Sequence, residues 1–314
     1  MLVNDWIGGL PPSAHERIAR QRASDTAGSL FSAPAAASAR SAGLAPVGEV
    51  FGCLVMNLGY TGYGCGMYGM RGLGGGPLGG FGMNTFRTPV LVSGGGSNGW
   101  SGFGPYVSAF RDAWQGALDR MLREAGMLGA EGVVGVTMQR SRIDGQAWEF
   151  TATGTAVRSV DTSLVPRPES SRVWAASFSA EDCAAAILSG QVPKGIALGL
   201  SVSTKHEDYQ LRQQRSSWSN TEVDGLSDLL HAARDDARVQ LARRATPFGG
   251  TDIVITDSTL TEFETPCGEE HDLHAESSFI GTILAPGPMN AFRTRGRPGS
   301  ADVLTVIPLK GSMS

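Results

Sequence analysis

"AGLAPVGEVFGCLV" at 42–55 returns, without a gap, as "SGQVPKGIALGLSV" at 189–202. Gly43, Pro46, Gly48, Gly52 and Val55 face Gly190, Pro193, Gly195, Gly199 and Val202 at a constant offset of 147 residues. The match extends upstream, where "FSAPAAASARSAG" at 31–43 faces "FSAEDCAAAILSG" at 178–190. Ser32 and Ser179 each precede an alanine-rich stretch that ends in glycine, which predicts an N-cap, a short helix and a glycine stop. The Val/Leu/Ile-rich segments that follow, about 47–58 and 194–204, read as strands.

The downstream parts also correspond. "AFRDAWQGALDRMLREAGMLGAEGVVGVTM" at 109–138 faces "DLLHAARDDARVQLARRATPFGGTDIVITD" at 228–257. Val107, Phe110, Trp114, Leu118, Met121, Ala125 and Leu128 recur at helical spacing, as do Leu226, Leu230, Ala233, Ala237 and Leu241. Ser219 and Glu222 form a candidate capping box for the second long helix, with Trp218 as its hydrophobic staple. Each helix runs into a glycine-containing turn and an apolar strand, and a last strand follows, "WEFTATGTAVRSV" or "SSFIGTILAPG". Spacing between matched glycines places 27 extra residues after the first strand of copy one and seven extra at the hairpin tip of copy two. The expected fold is α+β: two tandem copies of a small unit, each a helix layered on an antiparallel or mixed sheet. Residues 1–30 form a helical leader, 31–162 the first copy with an insertion at 56–104, 163–177 a linker, 178–287 the second copy and 288–314 a tail.

At 18% charged residues and a net charge of −4, the chain offers no electrostatic case for nucleic acid or an anionic membrane. No apolar run approaches the length of a membrane span, and the N-terminus lacks the pattern of a secretory signal. Cys53, Cys65, Cys183 and Cys267 are scattered without a framework spacing, which fits a reducing cytoplasm and leaves room for an occasional disulfide.

The run "ALDRMLREAGMLGAEGVVGV", followed by "FTATGTAVRS", resembles the YbjQ-like family, whose label is heavy-metal-binding. Residues 125–136 and 154–157 carry the motif, and the second copy is a degenerate version, with Gly249-Gly250-Thr251-Asp252-Ile253-Val254 in its place. The N-terminal "GLPPSAHERIARQR" is similar to the leader of two-domain members from actinobacteria. The resemblance implies dodecin-like units that assemble as rings of five chains, and no established activity.

The best chemical cluster is "ETPCGEEHDLHAE" at 264–276, which places Cys267, His271 and His274 at C-x₃-H-x₂-H. Thiolate and imidazole are donors for zinc, copper or nickel. On a regular strand the two histidines point to opposite faces, so chelation requires a turn; otherwise the segment is a solvated hairpin tip. The insertion at 56–104 holds 18 glycines together with Met56, Tyr60, Tyr63, Cys65, Met67, Tyr68, Met70 and Met83. Its G-x-G-x-x-G at 64–69 is followed by more glycine and opens no helix, so a dinucleotide site is rejected. A glycine-rich connecting loop, a soft-metal set of methionines with Cys65, and a sticky segment that binds a protein partner all stay open. Such a loop is expected to add little to the core. No nucleophile or acid/base set is visible, and His206, beside Glu207 and Asp208, reads as a solvated loop histidine. The sequence therefore points to a non-enzymatic cytoplasmic protein without a cofactor that assembles with itself. The alternative is a metal-binding or metal-response protein.

Overall fold

The computed structural model describes residues 6–24, 28–65, 88–94, 100–162, 165 and 172–287. After a leader helix α1 (Pro12–Ala23), the N-terminal half holds α2 (Ala33–Ser41), β1 (Leu44–Asn57), β2 (Leu91–Val92), α3 (Gly104–Met127), β3 (Gly132–Asp144) and β4 (Ala147–Ser159). The C-terminal half holds β5 (Trp174–Ala175), α4 (Ala180–Leu188), β6 (Gln191–His206), α5 (Tyr209–Arg215), α6 (Asp224–Ala245), β7 (Asp252–Cys267) and β8 (Glu270–Pro286). The fold is α+β, with two four-stranded sheets ordered β1-β4-β3-β5 and β2-β6-β8-β7.

Local chemistry explains the matched elements. The Ser32 hydroxyl accepts from the Ala35 amide at the start of α2, and Ser179 does the same for Asp182 at α4. Gly43 and Gly190 stop these helices in the left-handed region, at φ 75° and 87°. Proline and glycine in the shared stretch mark a bulge, since β1 shifts register between Pro46 and Gly48, and β6 between Pro193 and Gly195. Gly52 and Gly199 let the long helices approach closely. A Cβ on Gly52 would collide with the Ala117 carbonyl of α3, and one on Gly199 with the Ala237 carbonyl of α6.

Helix α3 has two apolar faces. Ala117 and Met121 lie over β1, and Phe110 and Trp114 pack edge-on against Phe150 of β4. The same hydrophobic cluster takes in Leu198 and Leu200 of β6 and Ile280 of β8. Trp114 and Leu118 face Ile196 and Leu198 across a cavity of about 450 Å³. The first sheet, α3, the second sheet and α6 therefore form four successive layers, and α2 packs on α4 in a second core with Phe178, Cys183 and Ile187. Two sheet edges gain a short extra strand, since β5 pairs with β3 and β2 with β6, while β7 remains an edge with largely exposed side chains. On β1 the side chains of Gln21, Arg120 and Glu124 take the Glu49 carbonyl, the Cys53 carbonyl and the Phe51 amide.

Three expectations are corrected. The capping box at Ser219 and Glu222 does not form, because α6 starts at Asp224 with no side-chain cap. Trp218 is fully exposed and staples nothing. The glycine-rich insertion is structural at both described ends. Met56 packs against the core, Tyr63 stacks on Phe103, β2 extends the second sheet, and Thr88 is held by Asp208 and the Lys205 ammonium group. Aromatic burial and strand pairing offset the entropy of ordering these ends. Met67, Tyr68, Met70 and Met83 lie outside the described residues.

We predict that Gly52→Ala and Gly199→Ala each cost about 1–3 kcal/mol in urea denaturation, as expected for forced overpacking. Gly28→Ala, where a Cβ meets nothing within 4 Å, should change stability by less than about 0.5 kcal/mol. A loss below that value at either strand glycine would show that the helices do not rest on the strands this closely.

Candidate metal centre

The second sheet turns one face to α3, and the far end of that face is polar. Alternation along β8 places Asp272, His274 and Glu276 on it, at 0%, 1% and 5% exposure. Groups so deeply buried need partners, and each has them. Glu276 accepts from the Tyr106 hydroxyl of α3 at 2.5 Å and pairs with Arg140 of β3 at 2.8 Å. Arg140 in turn lies over the rings of Phe110 and Trp148. His274 places Nδ1 at 2.9 Å from the Thr204 hydroxyl and Nε2 at 2.8 Å from that of Thr265. Its ring is enclosed by Tyr63, Phe103 and Phe263, and burial lowers its pKa to about 4, so it is neutral.

The end of the sheet carries a denser set. The pairing of β6 with β8 brings His206 opposite Asp272. His206 Nδ1 lies 2.6 Å from Asp272 Oδ1, and its Nε2 lies 2.7 Å from Glu270 Oε2. The Tyr63 hydroxyl donates to the other Asp272 oxygen. Burial pushes the Asp272 carboxyl up to about 6. Arg212 binds Glu270 at 2.5 Å, while Arg215 bridges Glu207 and Glu264. One donor atom each from His206, Cys267 and Asp272 lies within 4.8 Å of the others.

The set expected from sequence is not assembled. Cys267 is bonded to Cys65 in a disulfide across 202 residues of chain. His271 is exposed, whereas His274 is buried on the opposite side of the strand with both nitrogens engaged by hydroxyls. The seven extra residues lengthen the β7–β8 hairpin as paired strand, so no turn folds the two histidines together. His206 is no solvated loop residue, since it ends β6 and holds two carboxylates. Tyr63 is half-buried, with its ring against Phe103 and His274. Cys53 is hydrogen-bonded to Glu149, and burial with that carboxylate pushes its thiol up to about 11; burial pushes Cys183 up to about 12. Both are poor ligands and poor nucleophiles.

Residues 98–160, which contain α3, β3 and β4, match the YbjQ_1 family model, described as "Putative heavy-metal-binding". No curated protein matches the chain. The matched stretch contains neither cysteine nor histidine. The cysteines and histidines of this chain therefore lie outside the matched stretch, and the group at His206, Cys267 and Asp272 belongs to the C-terminal half, which Tyr106 and Arg140 join to the matched part through Glu276. No helix among the described residues is long and apolar enough to cross a membrane.

Arg140→Met should cost about 3–5 kcal/mol, because it leaves a buried carboxylate without its cation. Arg140→Met combined with Glu276→Gln should recover more than half of that loss in urea denaturation. A single-variant loss under about 1 kcal/mol would show that Glu276 is not buried against α3 and β3.

Proposed function

We propose that this chain is a non-enzymatic, cytoplasmic assembly protein built from two copies of one duplicated unit, and that it closes into a ring with further copies of itself. Both halves run short helix, strand, long helix, strand, strand, and pair their three long strands in the same order. The carrying observation is the seat of α3. Within one chain it covers the back of the second sheet at Leu198 and Leu200, and Val202 further along the same face is also buried. The corresponding positions of the first sheet are Phe51, Cys53 and Val55, with Thr151 and Thr153 beside them, and these stay partly or fully exposed. The helix able to cover them in the same manner is α6 of the next copy. A contact between two different surfaces of one molecule generates a ring when the rotation closes, and five chains is the size that the family resemblance implies.

The inter-chain contact differs in character from the internal one. Gly52 meets Ala117 and Gly199 meets Ala237, which makes the helices equivalent at an offset of 120, one more than the sequence match; where α3 presents Val107, Trp114 and Leu118, the matching positions of α6 are then Ser227, Arg234 and Arg238. These arginines suit the Glu149 carboxylate on the exposed sheet face. The assembly should therefore weaken with salt, unlike an apolar interface.

A second reading is metal binding. The description of the matched family favours it, as does the donor group at His206, Cys267 and Asp272.

Sedimentation velocity at micromolar concentration should give one species larger than the monomer, with dissociation promoted by salt. Val55→Arg alters a side chain that is 54% exposed and should yield a folded monomer. A wild-type chain that is monomeric at low salt would overturn the assembly reading.

A further inference from the structure

We propose that the Cys65–Cys267 disulfide is a redox gate on a zinc site, whose four donors are Cys65 Sγ, Cys267 Sγ, one ring nitrogen of His206 and one carboxylate oxygen of Asp272. The inference rests on the metal-binding reading for its ligand and goes beyond it in the donor set and in the control.

The geometry supplies three donor atoms already converged within 4.8 Å, and the disulfide brings a fourth, since Cys65 Sγ is bonded to Cys267 Sγ. Two thiolates, an imidazole and a carboxylate are a zinc donor set, because Zn²⁺ is borderline-soft and takes four such ligands in a tetrahedron. His206 also has the outer partner that metal-bound histidines need. With Nδ1 turned to the site beside Asp272, Nε2 rests on Glu270, which Arg212 holds in turn. Tyr63 orients Asp272 through its free oxygen.

In the oxidised chain both sulfurs are spent on each other, and a disulfide sulfur is no zinc ligand. Opening the site takes two electrons. A dithiol reductant supplies them: its thiolate attacks one sulfur to give a mixed disulfide, and its second thiol then releases the protein. The products are two protein thiols and one cyclic disulfide of the reductant. Cys65 is exposed while Cys267 is 9% exposed, so attack falls on Cys65, and Cys267 leaves as a thiolate on the side of Asp272 and takes up the proton that the reductant's thiol gave to water. Zinc then takes both sulfurs as thiolates and releases two protons. Bound at about 2.3 Å each, the sulfurs stand about 3.8 Å apart, a small separation from their bonded positions. Oxidation reverses the process and ejects the metal. Cys53 and Cys183 stand apart from this chemistry, as their thiols are held protonated.

The gate matches a reducing compartment, where a disulfide is more often a sensor than a staple. It also ties the metal site to the docking of the two halves, because Tyr63, which orients Asp272, stacks on Phe103 at the start of α3.

The test uses the full chain, reduced or oxidised, with Zn²⁺ followed by chelator competition and Co²⁺ by absorption. Reduced wild type should bind one ion per chain and show the thiolate-to-Co²⁺ charge-transfer band of a tetrahedral site. Oxidation should weaken binding by more than about 100-fold, beyond the 10–100-fold typical of losing an outer partner. His206→Gln and Asp272→Asn, checked for folding by circular dichroism, should each weaken binding in the reduced state, and Cys53→Ser should not. Equal binding in both redox states would overturn the gate and leave the metal reading standing. Binding in neither state would overturn both. Binding that survives His206→Gln and Asp272→Asn unchanged would place the metal elsewhere and overturn the donor set.

Discussion

The burial of α3 on both sides is the constraint on which the rest of the structure depends. A surface helix needs one apolar stripe, yet α3 carries two, with Ala117 and Met121 toward β1 and Trp114 and Leu118 toward β6. Its own sheet satisfies one stripe, and the second stripe requires another sheet. The C-terminal half provides it, and so β6 is buried along nearly its whole length on both faces. The leader helix then seals the exposed flank of α3. Arg17 grips the fully buried Glu124 through two hydrogen bonds of 2.6 Å, and Glu124 also takes the Phe51 amide.

This seat also creates the polar site. Where the apolar contact of α3 ends, the same face of β8 continues as Glu276, His274 and Asp272, and the helix start with its preceding loop covers them with Tyr106, Phe103 and Tyr63. Burying such residues is costly unless every one is partnered, and the partners come from both halves of the chain. The carboxylates, histidine and cysteine at the sheet end are thus held in place by the docking of the halves. The disulfide fixes the glycine-rich insertion to the same spot.

Much of the architecture was legible in the residues, because it rests on local rules. Ser32 and Ser179 as caps, Gly43 and Gly190 as stops, and the 3–4 spacing of Phe110, Trp114, Leu118 and Met121 are readable from a few neighbouring positions. The glycines at 52 and 199 were readable as a shared pattern, and the structure adds their reason, the close approach of a helix backbone. The site was not legible, because it depends on register between distant strands. Nothing near His206 announces that it will face Asp272, and Cys65 and Cys267 are 202 residues apart. The motif that drew attention, Cys267 with His271 and His274, failed on strand parity: residues three apart on a continuous strand face opposite ways. A weaker signal was available, since lengthening β7 and β8 beyond their counterparts must move the hairpin end past the helix and over some other partner. The glycine-rich insertion misled for a similar reason. Its composition describes its middle, while Tyr63, Thr88 and Leu91 at its ends obey pairing and packing.

If α3 is a core element common to both sheets, the two halves cannot unfold independently. The most direct test is differential scanning calorimetry of the disulfide-reduced chain without metal, which removes the covalent link as a cause of cooperativity. The account predicts one transition whose calorimetric and van't Hoff enthalpies agree. Two separate transitions, one for each half, would contradict it.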